Sequence, residues 1–245
     1  MLDPVFVCFL LFGIGALTFT LSTLTGGGGA MAQIPIMNAL VGPNLAAPLV
    51  NLGASISRPS RVLLFWKHIY WPVFWYYVPM AILGSFLASW WFSSLNAQWI
   101  QIVVGLFLIS TVFQYRFGKK KQSFNMRLWY FMPLGLVVSF IGTLTGGMGP
   151  ILNPFLLNLG LKKEALVGTK GAQSFFMGIG QITAYSAFGL LSDRVWLYGL
   201  CLGLGASLGN YIGKRLLYRI SEKKFRQILI GYMVLSGVLL VYGAL

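Results

Sequence analysis

The sequence predicts an all-α protein, a polytopic transmembrane helical bundle built from two inverted-topology repeats with glycine-broken helices. Three observations predict it. The 245 residues are 57% apolar and only 9% charged, against roughly 25% charged in a soluble domain. One glycine-rich motif occurs twice, as TLTGGGGA at 23–30 and as TLTGGMGP at 143–150. The basic residues cluster, and the clusters fall in different places in the two halves.

Apolar runs such as Val5 to Leu24 and Gln227 to Leu245 are each long enough to cross a hydrocarbon layer of about 30 Å as a helix. The first half divides into segments at 4–24, 30–42, 44–66, 70–92 and 97–116. The second divides at 129–146, 150–160, 164–190, 195–214 and 224–244. The second segment of each half is short, because glycine-rich sequence precedes it and Pro43-Asn44 or Gly160 ends it. MLDP has no basic n-region, so the first segment reads as part of the fold and not as a cleaved signal.

The halves align beyond the opening motif. Gly53-Ala54 matches Gly171-Ala172, LGSFLA at 83–88 matches LGNYIG at 208–213, and GLFLISTVFQY at 105–115 resembles GYMVLSGVLLVY at 231–242. Residues 1–116 and 128–245 therefore read as two transmembrane repeats joined by a basic linker at 117–127. Sixteen of the 18 Lys and Arg lie in four patches: 58–67, 116–127, 162–163 and 214–226. Basic loops mark the cytoplasmic face. In the first half they follow the third and fifth segments, and in the second half the second and fourth. Corresponding loops thus differ in charge, so the halves are upside down to one another, as in many secondary transporters. Both termini then lie outside. This parity needs the second segment to cross. Its 13 residues rise only about 20 Å as a helix, and the four preceding glycines, if extended, add about 13 Å.

Broken backbone at membrane depth is tolerated where it is buried in protein or lines a wet cavity. Free N–H groups at the starts of the half-helices, with their dipoles, suit an anion. Gly26, Gly27, Gly28, Gly146 and Gly147 allow close approach of a ligand to the backbone. Thr23, Thr25, Thr143 and Thr145 add hydroxyls, and Gln33 and Asn153, at equivalent positions, add amides. On the third segments, Asn51, Ser55 and Arg58 share a face, as do Lys170, Ser174 and Gln181, with Thr169 and Gln173 on the adjoining face. Lys170 is the most informative residue, because an ionisable group within a membrane segment marks function by default; its alternative is snorkelling to the interface. Arg58 reads as a cytoplasmic end charge, with Arg61 and Lys67 in the same basic patch. Gly205, Gly209 and Gly213 read as a packing seam.

Other classes are excluded. Asp3, Glu164, Asp193 and Glu222 are the four acids and all sit at segment ends. No carboxylate pair is available for a metal, a proton relay or acid–base chemistry. The chain reads as a non-enzyme with no cofactor. The glycine runs lack a following Gly-Lys-Ser/Thr, so they are not phosphate loops. The net charge of +14 is spread over loops, which argues against nucleic acid. His68 belongs to an interfacial aromatic belt. Cys8 and Cys201 are small apolar-facing residues with no disulfide expected.

GTLTGGMGPILNPFLLNLG at 142–160, followed by ALVGTKGAQ at 165–173, resembles the sulfite exporter TauE/SafE (TSUP) family, and the resemblance extends over nearly the whole chain. It departs in the first half, where Gln33-Ile34-Pro35 shifts the proline by one place from Asn153-Pro154. The resemblance implies transport of sulfur-containing or small organic anions, such as sulfite, sulfonates, sulfoacetate or thiosulfate, across the bacterial cytoplasmic membrane. The reading is an anion carrier whose partners are a small anionic substrate and the lipid bilayer. An inside-negative potential favours export by about 2.3 kcal/mol per charge per 100 mV. An anion channel and a non-transporting structural membrane protein are the alternatives.

Overall fold

The computed structural model describes residues 4–29, 33, 36–37, 40–41, 43–91, 97–114, 124–145, 150–187 and 192–244. Its helices are α1 (Pro4–Leu24), α2 (Pro43–Phe65), α3 (Trp71–Trp91), α4 (Ala97–Gln114), α5 (Phe131–Thr145), α6 (Asn153–Asn158), α7 (Lys163–Ala187), α8 (Asp193–Arg219) and α9 (Glu222–Ala244). Short 3-10 turns at Trp66–His68 and Leu128–Tyr130 precede α3 and α5. No strand occurs among the described residues. The helices follow the predicted segments to within a few residues, because uninterrupted apolar runs bounded by Gly, Pro and charge leave little choice of ends. Residues 33, 36–37 and 40–41 are helical, and the rest of 30–42 lies outside the described residues.

Small residues set the packing. Along α1 and α8, Gly205 faces the Phe12 carbonyl, Gly15 faces that of Leu202, Gly209 faces that of Ala16, and Gly213 faces the Thr23 side chain. The residue numbers climb together, so these helices run parallel, and the predicted seam on α8 is the one used. In the same way Gly84 of α3 faces the Leu136 carbonyl and Gly135 of α5 faces that of Tyr77. A Cβ at any of these glycines except Gly213 would collide with backbone. α4 and α9 run antiparallel, with Gly105 against Gly237 and Val241, and Gly237 against Ile109. α2 and α7 also run antiparallel, with Phe65, Arg61 and Arg58 set against Gly168, Gly171 and Gly178.

The larger apolar core joins α2 to α9 through Phe65, Phe131, Leu166 and Leu229. Large apolar side chains also point outward, among them Leu17, Trp75, Phe113 and Tyr242 at 68–81% exposure. Val5–Leu24 and Asp193–Arg219 are long and apolar enough to cross a membrane.

The basic segments meet at one end. Lys163 Nζ donates to the carbonyls of Leu217 (2.8 Å) and Ile220 (2.6 Å), which caps the end of α8. Phe124 N–H donates to Asn158 Oδ1 at 3.0 Å. Lys214 lies over the Phe65 ring, and His68 stacks edge-on to Tyr218. Asp193 and Arg194 begin α8 about 40 Å away along its axis.

Candidate functional site

α1 ends where the first glycine run begins. Gly27 N–H donates to the Ser22 carbonyl at 2.7 Å while Gly26 takes φ 67, the left-handed residue of a Schellman cap. Gly27 and Gly28 follow at φ 119 and 101, a region that L side chains rarely adopt. The expected extended run is therefore corrected. Residues 25–27 form a turn and a bend, because the six-to-one bond satisfies carbonyls at the helix end that extended chain would leave bare. The turn aims its carbonyls sideways. Gly28 carbonyl accepts from Tyr232 Oη of α9 at 2.7 Å, and a Cβ at Gly28 would occupy the place of that hydroxyl.

Gly26 carbonyl accepts from Lys170 Nζ of α7, and the same nitrogen donates to Asn153 Oδ1 at the start of α6. Asn153 is fully buried and its Nδ2 approaches the Thr25 carbonyl at 3.5 Å. Lys170 thus ties the glycine turn of the first half to the short helix of the second. It is held in a polar cluster, seven residues into α7 or about 10 Å along its axis. Ordered carbonyl and amide oxygens around an ammonium make charge-assisted hydrogen bonds, each about 1.5–3 kcal/mol.

Arg61 lies beside this cluster. Its Nε and Nη2 both donate to Asn210 Oδ1, at 3.0 and 2.8 Å, and Nη2 also reaches Ser22 Oγ at 3.1 Å and Thr23 Oγ1 at 3.4 Å. The guanidinium sits 5.4 Å from the centre of the Phe19 ring. Asn210 is anchored in turn, with Nδ2 donating to the Ser57 carbonyl at 3.1 Å and to Ser60 Oγ at 3.0 Å. α7 makes room for the arginine stem at Gly171, where a Cβ would fall 2.9 Å from Arg61 Cγ. Arg58 fits over Gly178 in the same way and donates to Ser55 Oγ at 2.8 Å. Arg61, which the sequence groups with the basic patch at 58–67, is 9% exposed and folded into α1 and α8.

The cluster places a lysine and an arginine beside the end of α1 in an all-helical chain, and the sequence narrows the kin. Residues 11–240 match the model of the family described as sulfite exporter TauE/SafE. The chain belongs to the TauE/SafE family. A relative, the probable membrane transporter protein YtnM of Bacillus subtilis strain 168, is 27% identical over 169 residues, which is 65% of this chain and 55% of the relative. The match therefore spans little more than half the length of that protein. No solved structure matches the chain. Membership makes this TauE/SafE chain a membrane protein of a transporter family.

Among the predicted residues of this TauE/SafE chain, the structure brings together Thr23, Thr25, Gly26, Gly27, Gly28, Asn153 and Lys170. Thr25 turns inward onto the carbonyls of Leu21 (2.9 Å) and Gly27 (3.2 Å), so its hydroxyl serves the turn. Gln33 is fully buried and donates to Thr18 Oγ1 at 2.7 Å, while its Oε1 has no partner. Gln173, on the turn after Lys170, has a buried Nε2 with no acceptor. Thr169 does not join them, since its hydroxyl accepts from Tyr70 N–H at 2.9 Å beyond the end of α2. Asn51 lies two turns before Arg58, and Ser55 supports Arg58. The side chains of Thr143 and Thr145, and all of Gly146 and Gly147, lie outside the described residues.

Arg61, Asn210, Ser22 and Tyr232 were not singled out as site residues. Asn210 carried a readable signal, a lone amide in the apolar stretch LGNYIG. Tyr232 carried none, since tyrosines are common in these helices. A cavity of about 160 Å³ lies apart from the cluster, at the starts of α2 and α8, lined by Val41, Leu45, Leu49, Arg194, Val195 and Tyr198.

Proposed function

We propose that the protein is a carrier, in the exporting direction, of small sulfur-containing or organic anions such as sulfite or sulfonates. In this reading the two glycine breaks meet at the site, and rocking of two inverted repeats alternates access to it. The observation that carries the reading is the bridge from Lys170 to Gly26 and Asn153, a cation held between elements of both halves.

The inverted arrangement has support in the packing. Gly15 against Leu202 corresponds, with the halves exchanged, to Gly135 against Tyr77. Gly209 against Ala16 corresponds to Gly84 against Leu136. The shift is 120 residues in the first segments and 125 in the fourth. The two helix pairs that map onto themselves, α2 with α7 and α4 with α9, are antiparallel, as an axis lying in the membrane plane requires. The convergence of basic loops at one end supports placing that end in the cytoplasm, with both termini outside and the chain crossing the bacterial inner membrane several times.

Flux of sulfur oxyanions into proteoliposomes, with and without an imposed potential, tests the function. Saturable, potential-sensitive flux is expected, and Lys170→Met and Thr145→Val should reduce it. Unchanged flux in both variants refutes the site, and single-channel currents would replace the carrier with a channel.

A further inference from the structure

We propose that Arg61, steered by Asn210, is a substrate-binding group that sets the charge of the cargo, so that the site favours doubly charged oxyanions over singly charged ones. The inference rests on the carrier reading and adds the cargo's charge and the residues that select it.

Every partner of Arg61 is a neutral oxygen or an aromatic face: Asn210, Ser22, Thr23 and Phe19. A guanidinium taken out of water is costly unless an opposite charge compensates it. Among the described residues none lies nearby, and Asp3 is outside them. Glu164 and Glu222 are both drawn to Lys163, and Asp193 begins α8 at the opposite end of the bundle. Arg61 Nε and Nη2 are spoken for, whereas Nη1 makes no hydrogen bond among the described residues. That leaves one edge of a rigid planar fork to meet oxygen atoms. The arginine stem lies against Gly171, the residue after Lys170, so two cations from different helices flank one stretch of α7. Gln173 adds a buried N–H donor with no acceptor on the next turn. Two fixed positive charges and a waiting donor, with no carboxylate among the described residues around them, are complementary to an anion of charge two bearing several oxygens.

Asn210 makes a sharp test available. Asn210→Asp is nearly isosteric and would pair the guanidinium with a carboxylate. If Arg61 is only structural, losing the Nδ2 bonds to Ser57 and Ser60 lowers the flux of both anions together and leaves their ratio unmoved. If Arg61 binds cargo, the change neutralises it. The probes are thiosulfate, a dianion at neutral pH, and methanesulfonate, a monoanion, each as competition-free flux into proteoliposomes. Wild type should favour thiosulfate, and Arg61→Gln and Asn210→Asp should each cut the thiosulfate-to-methanesulfonate ratio by about thirty-fold or more, while Arg61→Lys retains part of it. A wild-type ratio in Asn210→Asp overturns the proposal, even if Arg61→Gln fails to fold. Loss of all flux in Lys170→Met with the ratio unmoved in Arg61→Gln and Asn210→Asp removes this inference and leaves the carrier standing. A wild-type protein that moves neither anion removes both.

Discussion

Gly15→Ala and Gly13→Ala differ by half a turn of α1 and should have opposite effects. At Gly13 an added methyl meets nothing within 4 Å. At Gly15 it would strike the Leu202 carbonyl oxygen, with Ala206 N at 2.9 Å and Leu202 C at 3.2 Å. All three atoms are backbone, so no side chain can swing aside, and α1 and α8 must part by roughly 1 Å to restore van der Waals distance. Overpacking of this kind costs about 1–3 kcal/mol. Contact with backbone alone puts the cost in the upper part of that range, about 2–3 kcal/mol; alanine recovers about 1 kcal/mol through helix propensity, so the net loss at Gly15 is about 1–2 kcal/mol, and Gly13→Ala keeps the whole gain. For a chain of this size each kcal/mol moves the melting midpoint by about 2–4 °C. In detergent, followed by intrinsic fluorescence at a fixed scan rate, Gly15→Ala should melt about 2–8 °C below wild type and Gly13→Ala at or above it. Gly135→Ala, facing the Tyr77 carbonyl, should match Gly15→Ala. Equal midpoints for the Gly13 and Gly15 variants would refute the seam.

Tyr232→Phe removes one neutral hydrogen bond and strands the Gly28 carbonyl, so it should cost about 1–2 kcal/mol and make amide exchange at Gly27 to Gly29 faster, with α8 unaffected; unchanged exchange at the turn counts against the contact. Single cysteines at Lys67 and Lys223 should react with a membrane-impermeant maleimide only in inside-out vesicles, and one at Arg194 only in right-side-out vesicles, after Cys8 and Cys201 are replaced by Ser. A cytoplasmically active reporter at the C-terminus would refute the inverted orientation.

Most of the helix boundaries were legible because they depend on local matters: apolar runs of sufficient length, prolines, glycines and charges at their ends. The α8 seam was legible for the same reason, since glycines at four-residue spacing line one face of any helix. Lys170 stood out because an ammonium within an apolar segment has few explanations. The conformation of the first glycine run was misjudged, because four glycines permit both extended chain and a left-handed turn, and only the hydrogen bond back to Ser22 selects the turn. The burial of Arg61 was not legible, because an arginine a few residues from a helix end looks the same in sequence whether it faces water or a neighbouring helix.

By itself, then, the sequence determined an all-helical membrane protein of the TauE/SafE family, a repeated glycine interruption and a cationic residue near it. Tertiary structure decided which groups meet. Lys170 reaches a carbonyl 144 residues away and Arg61 an amide 149 residues away. Such pairings depend on where helices cross, and the crossings are set by a handful of glycines that bring backbones into contact. Hydropathy and periodicity describe each helix alone, so they reveal its faces but not the neighbour each face will find.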